Sequence, residues 1–153
     1  MDAKLVDGEG YLLLAVDTSI NLDFIHITGT KSARLTSDDL QKGSRYILIK
    51  LPAGNYEFNK IQLSNVYNYS MKSDIWRFEV KENAVNYIGN LMVRHYDFGS
   101  RAYFELINRS SFALQYLNAE FPNILNGRTV EYGGPGEDDF FSTVRINDSE
   151  GSK

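Results

Sequence analysis

The sequence predicts a mainly β protein, an antiparallel β-sandwich of about eight strands with one short helix. Three observations point there. Apolar and polar residues alternate at period two over many short segments, and Gly, Asn, Asp and Ser punctuate those segments closely. The segments are also rich in aromatic and β-branched residues, with ten Tyr and nine Phe in 153 residues, side chains that suit a pleated, half-buried surface. A chain of this length makes one domain, expected over 1–147 with 148–153 as a frayed tail, and it can bury a core without disulfide or metal.

The first strand is expected over Gly10–Val16, which holds the apolar run YLLLAV, and the second over Leu22–Thr28. Arg45–Leu51 comes next, with Ile47, Ile49 and Leu51 on one parity and so on one face. Before the strand Tyr56–Leu63 stands LPAGNY. Pro52 presets φ for a turn, Gly54 supplies a conformation other residues resist, and Tyr56 enters facing the core, so the segment reads as a corner and not a ligand loop. Within the next strand Tyr56 and Phe58 occupy even positions, whereas Ile61 and Leu63 occupy odd ones. A bulge near Asn59 and Lys60 would return all four to the core.

Ile75–Val80 is the fifth strand, with Trp76, Phe78 and Val80 inward, and Val85–Val93 the sixth, where Gly89 marks the close approach of another backbone or a bulky ring. Ala102–Ile107 turns Ala102, Phe104 and Leu106 inward. In NRSSFALQYLNAEFPNIL, residues 108–125, the period changes: Ala113, Leu114, Leu117 and Phe121 recur at helical spacing, with Ser110 or Ser111 placed to cap. A helix near residues 110–121 follows, ended by Pro122, which has no N–H and disfavours helical geometry before it. NGRTVEYGGPGEDD reads as a long surface connection to a last strand, Phe140–Ile146.

Composition removes several classes of function. Net charge is −4 and no basic run exceeds isolated pairs, so a nucleic-acid partner is not expected. The absence of cysteine excludes disulfides, thiolate metal sites and cysteine nucleophiles. YLLLAV, the longest apolar run, falls far short of a membrane span. The opening MDAKLVDGEG has no basic and apolar leader pattern, and reads as a cytosolic start or as a chain whose targeting segment is gone.

Chemistry-bearing residues are sparse. His26 lies inside a predicted strand and His95 at the end of one, neither beside a nucleophile motif, and both read as histidines held in or at the rim of a sheet. No Gly-x-Ser-x-Gly elbow occurs, the acidic pairs lack EF-hand spacing, and GGPGEDD lacks the Lys-Ser/Thr ending of a phosphate loop. No catalytic residue, metal site or cofactor is therefore expected. The most suggestive stretch is SNVYNYSMKSD, residues 64–74, in which Tyr67, Tyr69 and Met71 are candidate partner-binding residues. The alternative is that they continue a strand hairpin with one face covered.

KLPAGNYEF, then RFEVKENAVNYIGNLMV, then a helix ending in AEFPNIL resemble bacterial envelope proteins of the lipoprotein type, including the family of unknown function DUF2846. In such proteins the LP-x-G-x-Y corner and the Y-[IL]-G-x-[LI] strand belong to a prealbumin-like or immunoglobulin-like sandwich. The resemblance implies a non-catalytic module of the periplasm or outer membrane that binds a protein or glycan of the cell envelope, touching the membrane only through a lipid anchor. This chain departs from the pattern at Glu82-Asn83, where Pro-Gly is commoner, and in having no lipobox Cys. An enzyme or small-ligand carrier on the same scaffold is the alternative.

Overall fold

The computed structural model describes residues 4–95 and 101–143; over these the protein is mainly β, with two sheets and a layer of helix. Ten strands occur among the described residues: β1 (Glu9–Thr18), β2 (Phe24–Gly29), β3 (Ala33–Thr36), β4 (Gly43–Pro52), β5 (Gly54–Gln62), β6 (Asn68–Ser70), β7 (Arg77–Val80), β8 (Ala84–His95), β9 (Ala102–Ile107) and β10 (Thr129–Tyr132). Helix α1 (Ser110–Glu120) and the single turn α2 (Pro122–Leu125) lie between β9 and β10, and residues 140–143 are again helical.

The first sheet runs β4, β1, β8, and the far edge of β8 is divided: β10 pairs with residues 84–87 and β9 with residues 90–95. The second runs β3, β2, β5, with the far edge of β5 divided likewise between β7 and β6. Pairing is mostly antiparallel, as expected, and the parallel exceptions lie at β8, which runs parallel to both β1 and β10. Parallel neighbours need a long crossover. Here β4 and the whole second sheet supply one between β1 and β8, and β9 with the two helices supplies the other.

Period-two alternation locates the inner core correctly. Leu12, Leu14 and Val16 of β1, Ile25 and Ile27 of β2, Ile47 and Leu51 of β4, Phe78 and Val80 of β7 and Leu91 and Val93 of β8 are buried between the sheets. Ile49, Phe104 and Leu106 pack at its margin. The bulge in β5 falls where expected: His26 pairs with Lys60 and Ile27 with Phe58, leaving Asn59 as the extra residue, and Tyr56, Phe58, Ile61 and Leu63 are all buried.

The LPAGNY corner carries the chain from one sheet to the other, since β4 ends at Pro52 and β5 begins at Gly54. Gly54 has φ +149°, and a Cβ there would lie 2.0 Å from Thr30 Oγ1; the Tyr56 hydroxyl donates to the Pro52 carbonyl at 2.6 Å. Gly89 sits where the β1–β8 register jumps, and a Cβ on it would come within 2.9 Å of Leu106 Cγ. The nearest neighbour is thus an aliphatic side chain, with the backbone carbonyl oxygen of Ile107 also close at 3.4 Å.

A third layer covers the other face of the first sheet. Tyr11 and Leu13 of β1, Val85 and Tyr87 of β8 and Val130 of β10 pack under Ala113, Leu114 and Leu117 of α1, α2 and Phe141. Every residue from Gly10 to Val16 is consequently buried, the burial expected of a strand covered on both faces.

Several elements differ from expectation. Ile75 and Trp76 lie in a 3₁₀ turn, Asp74–Trp76, opened by Ser73 accepting from the Ile75 N–H; Trp76 is buried all the same, while Ile75 is exposed. Residues 129–132 form β10 rather than surface connection, because Val130 joins the second core. The expected strand Phe140–Ile146 is helical over 140–143, where the Phe141 ring meets Tyr87 edge to face at 6.1 Å; residues 144–146 and the tail lie outside the described residues. Helix α1 ends at Glu120 and Pro122 opens α2, as its missing N–H dictates. Neither Ser110 nor Ser111 caps α1; the Ser110 N–H instead donates to Asn108 Oδ1 at 3.1 Å.

Candidate functional site

The stretch around Tyr67 folds back onto the second sheet, with β6 paired to Lys60–Gln62. Met71 is in the core, where its N–H donates to the Asn59 carbonyl at 2.9 Å. The Tyr67 ring lies 5.1 Å from the His95 ring, and Tyr69 packs edge-on against Phe104 at 5.2 Å. Tyr67 and Tyr69 are thus brought to the seam between the sheets, half-buried against the protein's own β8 and β9, while Met71 lies in the core. Val66 is the exposed apolar residue of this segment. His26 and His95 lie on different sheets and share no site. Among the described residues no group of three His, Asp or Glu is arranged to hold a metal ion.

A different site emerges on the outer face of the first sheet. The helical layer covers Tyr11, Leu13, Val85 and Tyr87, but the same face continues past it as a grid set by strand register. One row is Tyr46, Ala15, Asn90 and Ile107; the next is Ser44, Asp17, Met92 and Glu105; the last is Arg94 and Tyr103. The first two rows, Glu105 aside, floor a groove of about 270 Å³, and Arg109 and Phe112 at the start of α1 bound it on the helix side.

Hydrogen bonds fix most of the polar groups in this grid. Arg94 reaches Asp17 Oδ2 at 3.1 Å and also donates to the Asp17 and Val93 carbonyls. The Tyr103 hydroxyl donates to Glu105 Oε2 at 2.6 Å. Tyr87 crosses the sheet–helix junction: its hydroxyl donates to Asn90 Oδ1 at 2.7 Å and accepts the Arg109 N–H at 2.8 Å. Burial pushes the Tyr87 hydroxyl far above the usual tyrosine range, and burial likewise raises Tyr46, which stacks on Tyr116 at 4.2 Å. Both stay neutral and serve as hydrogen-bonding, apolar walls.

Beside the groove, Asp138 ties the 139–143 region to α1. Burial alone would raise its pKa, but hydrogen bonds from the Ser110 hydroxyl, from Asn108 Nδ2 at 2.7 Å and from the Phe140 N–H at 2.9 Å outweigh burial and hold the carboxyl below its ordinary value. GEDD is therefore not a uniformly solvated loop. A depressed folded pKa contributes stability that is present above the unfolded pKa and lost as pH falls through the folded one. Asp138→Asn is accordingly expected to lower stability at pH 7 and to converge with the wild type near pH 2, below the carboxylate range of about 4; urea midpoints across that range check it.

The groove is legible in one sequence signal. Phe112 falls off the stripe formed by 113, 114, 117 and 121, an apolar residue on the polar side of an amphipathic helix. Compared with known proteins, the chain matches no family model, no curated protein and no solved structure.

Proposed function

We propose that the protein is a non-catalytic binding module that receives a protein partner on the uncovered half of its first sheet. The observation that supports this is the grouping of Phe112, 58% exposed, and Tyr103, 47% exposed, on one face with Met92, Ile107 and Arg109. Aromatic residues, Met and Arg are the types enriched at protein interfaces and their hot spots, and large exposed side chains of this kind seldom gather on a monomer without a partner to cover them. The prealbumin- or immunoglobulin-like typing and the bacterial envelope setting belong to the same proposal; they rest on the resemblance at Leu51–Tyr56 and the strand that contains Gly89.

A phage-displayed peptide library panned on the wild-type protein tests the reading, with Phe112→Ser and Tyr103→Ser as counter-screens. Both substitutions are expected to leave stability within about 0.5 kcal/mol, because both side chains are exposed. Selected peptides are expected to bind each variant about tenfold more weakly, the scale of losing one interface anchor. Peptides that bind wild type and variants equally would refute the groove as the partner site.

A further inference from the structure

The opposite face of the sandwich carries a second surface, independent of the groove. Ile25, Ile27, Leu35, Phe58 and Ile61 point into the core, so Phe24, His26, Arg34 and Lys60 stand on the outer side of the second sheet. His26 pairs with Arg34 on one side and with Lys60 on the other. Three basic side chains therefore form a row across three adjacent strands, with strand spacings of about 4.8 Å.

The heads of two of them converge on a single ring. The Arg34 guanidinium carbon lies 4.1 Å from the Phe24 ring centroid and the Lys60 Nζ 5.9 Å from it. Among the described residues neither Arg34 nor Lys60 belongs to an ion pair; the salt bridges involve Arg77, Lys81 and Arg94. In a chain with 20 acidic and 16 basic residues, an uncompensated basic row calls for an anion from outside. Next to it lie hydroxyl and amide groups: Ser70 pairs with Lys60, and Gln62 pairs with both Phe24 and Asn68.

We infer that this face binds an anionic polysaccharide, its carboxylate or sulfate groups held by Arg34 and Lys60 on either side of His26 and its hydroxyls by Gln62, Asn68 and Ser70. An open sheet face suits an extended chain better than an enclosed small molecule. A nucleic acid needs many phosphate contacts for useful affinity, and this row offers two fixed cations, Arg34 and Lys60, in a net-negative protein. An anionic lipid surface is disfavoured because the exposed large apolar residues, Val6, Val66, Ile75, Tyr103 and Phe112, lie outside β2, β3, β5 and β6, and Phe24, the aromatic ring on this face, is half-buried under the Arg34 and Lys60 heads, leaving no exposed apolar side chain to insert.

Affinity electrophoresis in native gels containing alginate, dextran sulfate, neutral dextran or inorganic polyphosphate tests the site. Retardation by alginate assigns carboxylates and retardation by dextran sulfate assigns sulfates, with none expected from neutral dextran. Arg34→Gln and Lys60→Gln, at sites away from the core and checked for folding by thermal melts, should each weaken retardation about tenfold, as loss of a charged hydrogen bond does. Phe112→Ser should leave it unchanged, which separates this surface from the groove. Absence of retardation by both anionic polysaccharides, or retardation that survives both substitutions, would overturn the site; equal retardation by polyphosphate would overturn its assignment to a glycan.

Discussion

Replacing Phe58 by alanine is expected to destabilise the protein by about 3–5 kcal/mol, read as a lowered urea midpoint at constant m value. The ring is fully buried and sits one residue before the bulge in β5. It meets Phe78 at 5.3 Å and Trp76 edge to face at 6.3 Å, so its removal also takes away aromatic pairings worth about 0.5–1.5 kcal/mol each beyond area burial. The surrounding strands are hydrogen-bonded on both sides of β5, which prevents the space from closing. Trp76, retaining slight exposure at the end of a 3₁₀ turn, has more freedom to relax and should cost less when truncated. A change below about 1 kcal/mol for Phe58→Ala would mean that the two sheets do not pack as described.

The second large effect is expected at Asn86, a fully buried polar residue in β8. Its Oδ1 accepts the Lys81 N–H at 2.9 Å, and its Nδ2 donates to the Tyr11 carbonyl at 3.0 Å and the Lys81 carbonyl at 3.2 Å. One side chain thus joins β8, β1 and the turn after β7. Asn86→Leu keeps the volume but strands those backbone groups, at about 1–3 kcal/mol for each buried group left unpaired, so a loss of about 3 kcal/mol or more is expected. Asn86→Asp should fail differently. Its carboxylate would face two carbonyl oxygens in a dry site, which raises its folded pKa. Stability would then be present at low pH and lost as pH rises from about 4 through that raised value. An Asp variant as stable at pH 7 as at pH 4 would contradict the assigned amide orientation.

What the sequence makes legible here is local. Parity in β4, β7 and β9, the bulge at Asn59, the corner at Pro52–Gly54 and the stop at Pro122 each depend on a few neighbouring residues, and each appears in the structure where the residues place it. The less legible features depend on distant partners. YLLLAV announces a strand buried on both faces, but it does not name α1 and Phe141 as the second cover. TVEY is only four residues long and stands among Gly and acidic residues, so its pairing with β8 has no local signature. Phe140 and Phe141 are adjacent and fit neither period, which leaves helix and strand equal on pattern alone. The same limit applies to the sites. Tyr67 and Tyr69 look exposed until the ends of β8 and β9 arrive over them, and the basic row exists only once three strands are placed side by side.

The position of β1 has a kinetic consequence. This strand leaves the ribosome before the other nine described strands, yet its parallel neighbour β8 lies far along the chain and the helices over its second face come later still. Contacts so distant in sequence slow the search for the native state, because loop-closure entropy is lost before the pairing is gained. Until β8 and the helices emerge, Tyr11 and Leu13 on the second face of YLLLAV stay open, and such a segment is prone to self-association until its partners arrive. The strand buried most completely in the finished protein is therefore the one most dependent on protection before the chain is complete.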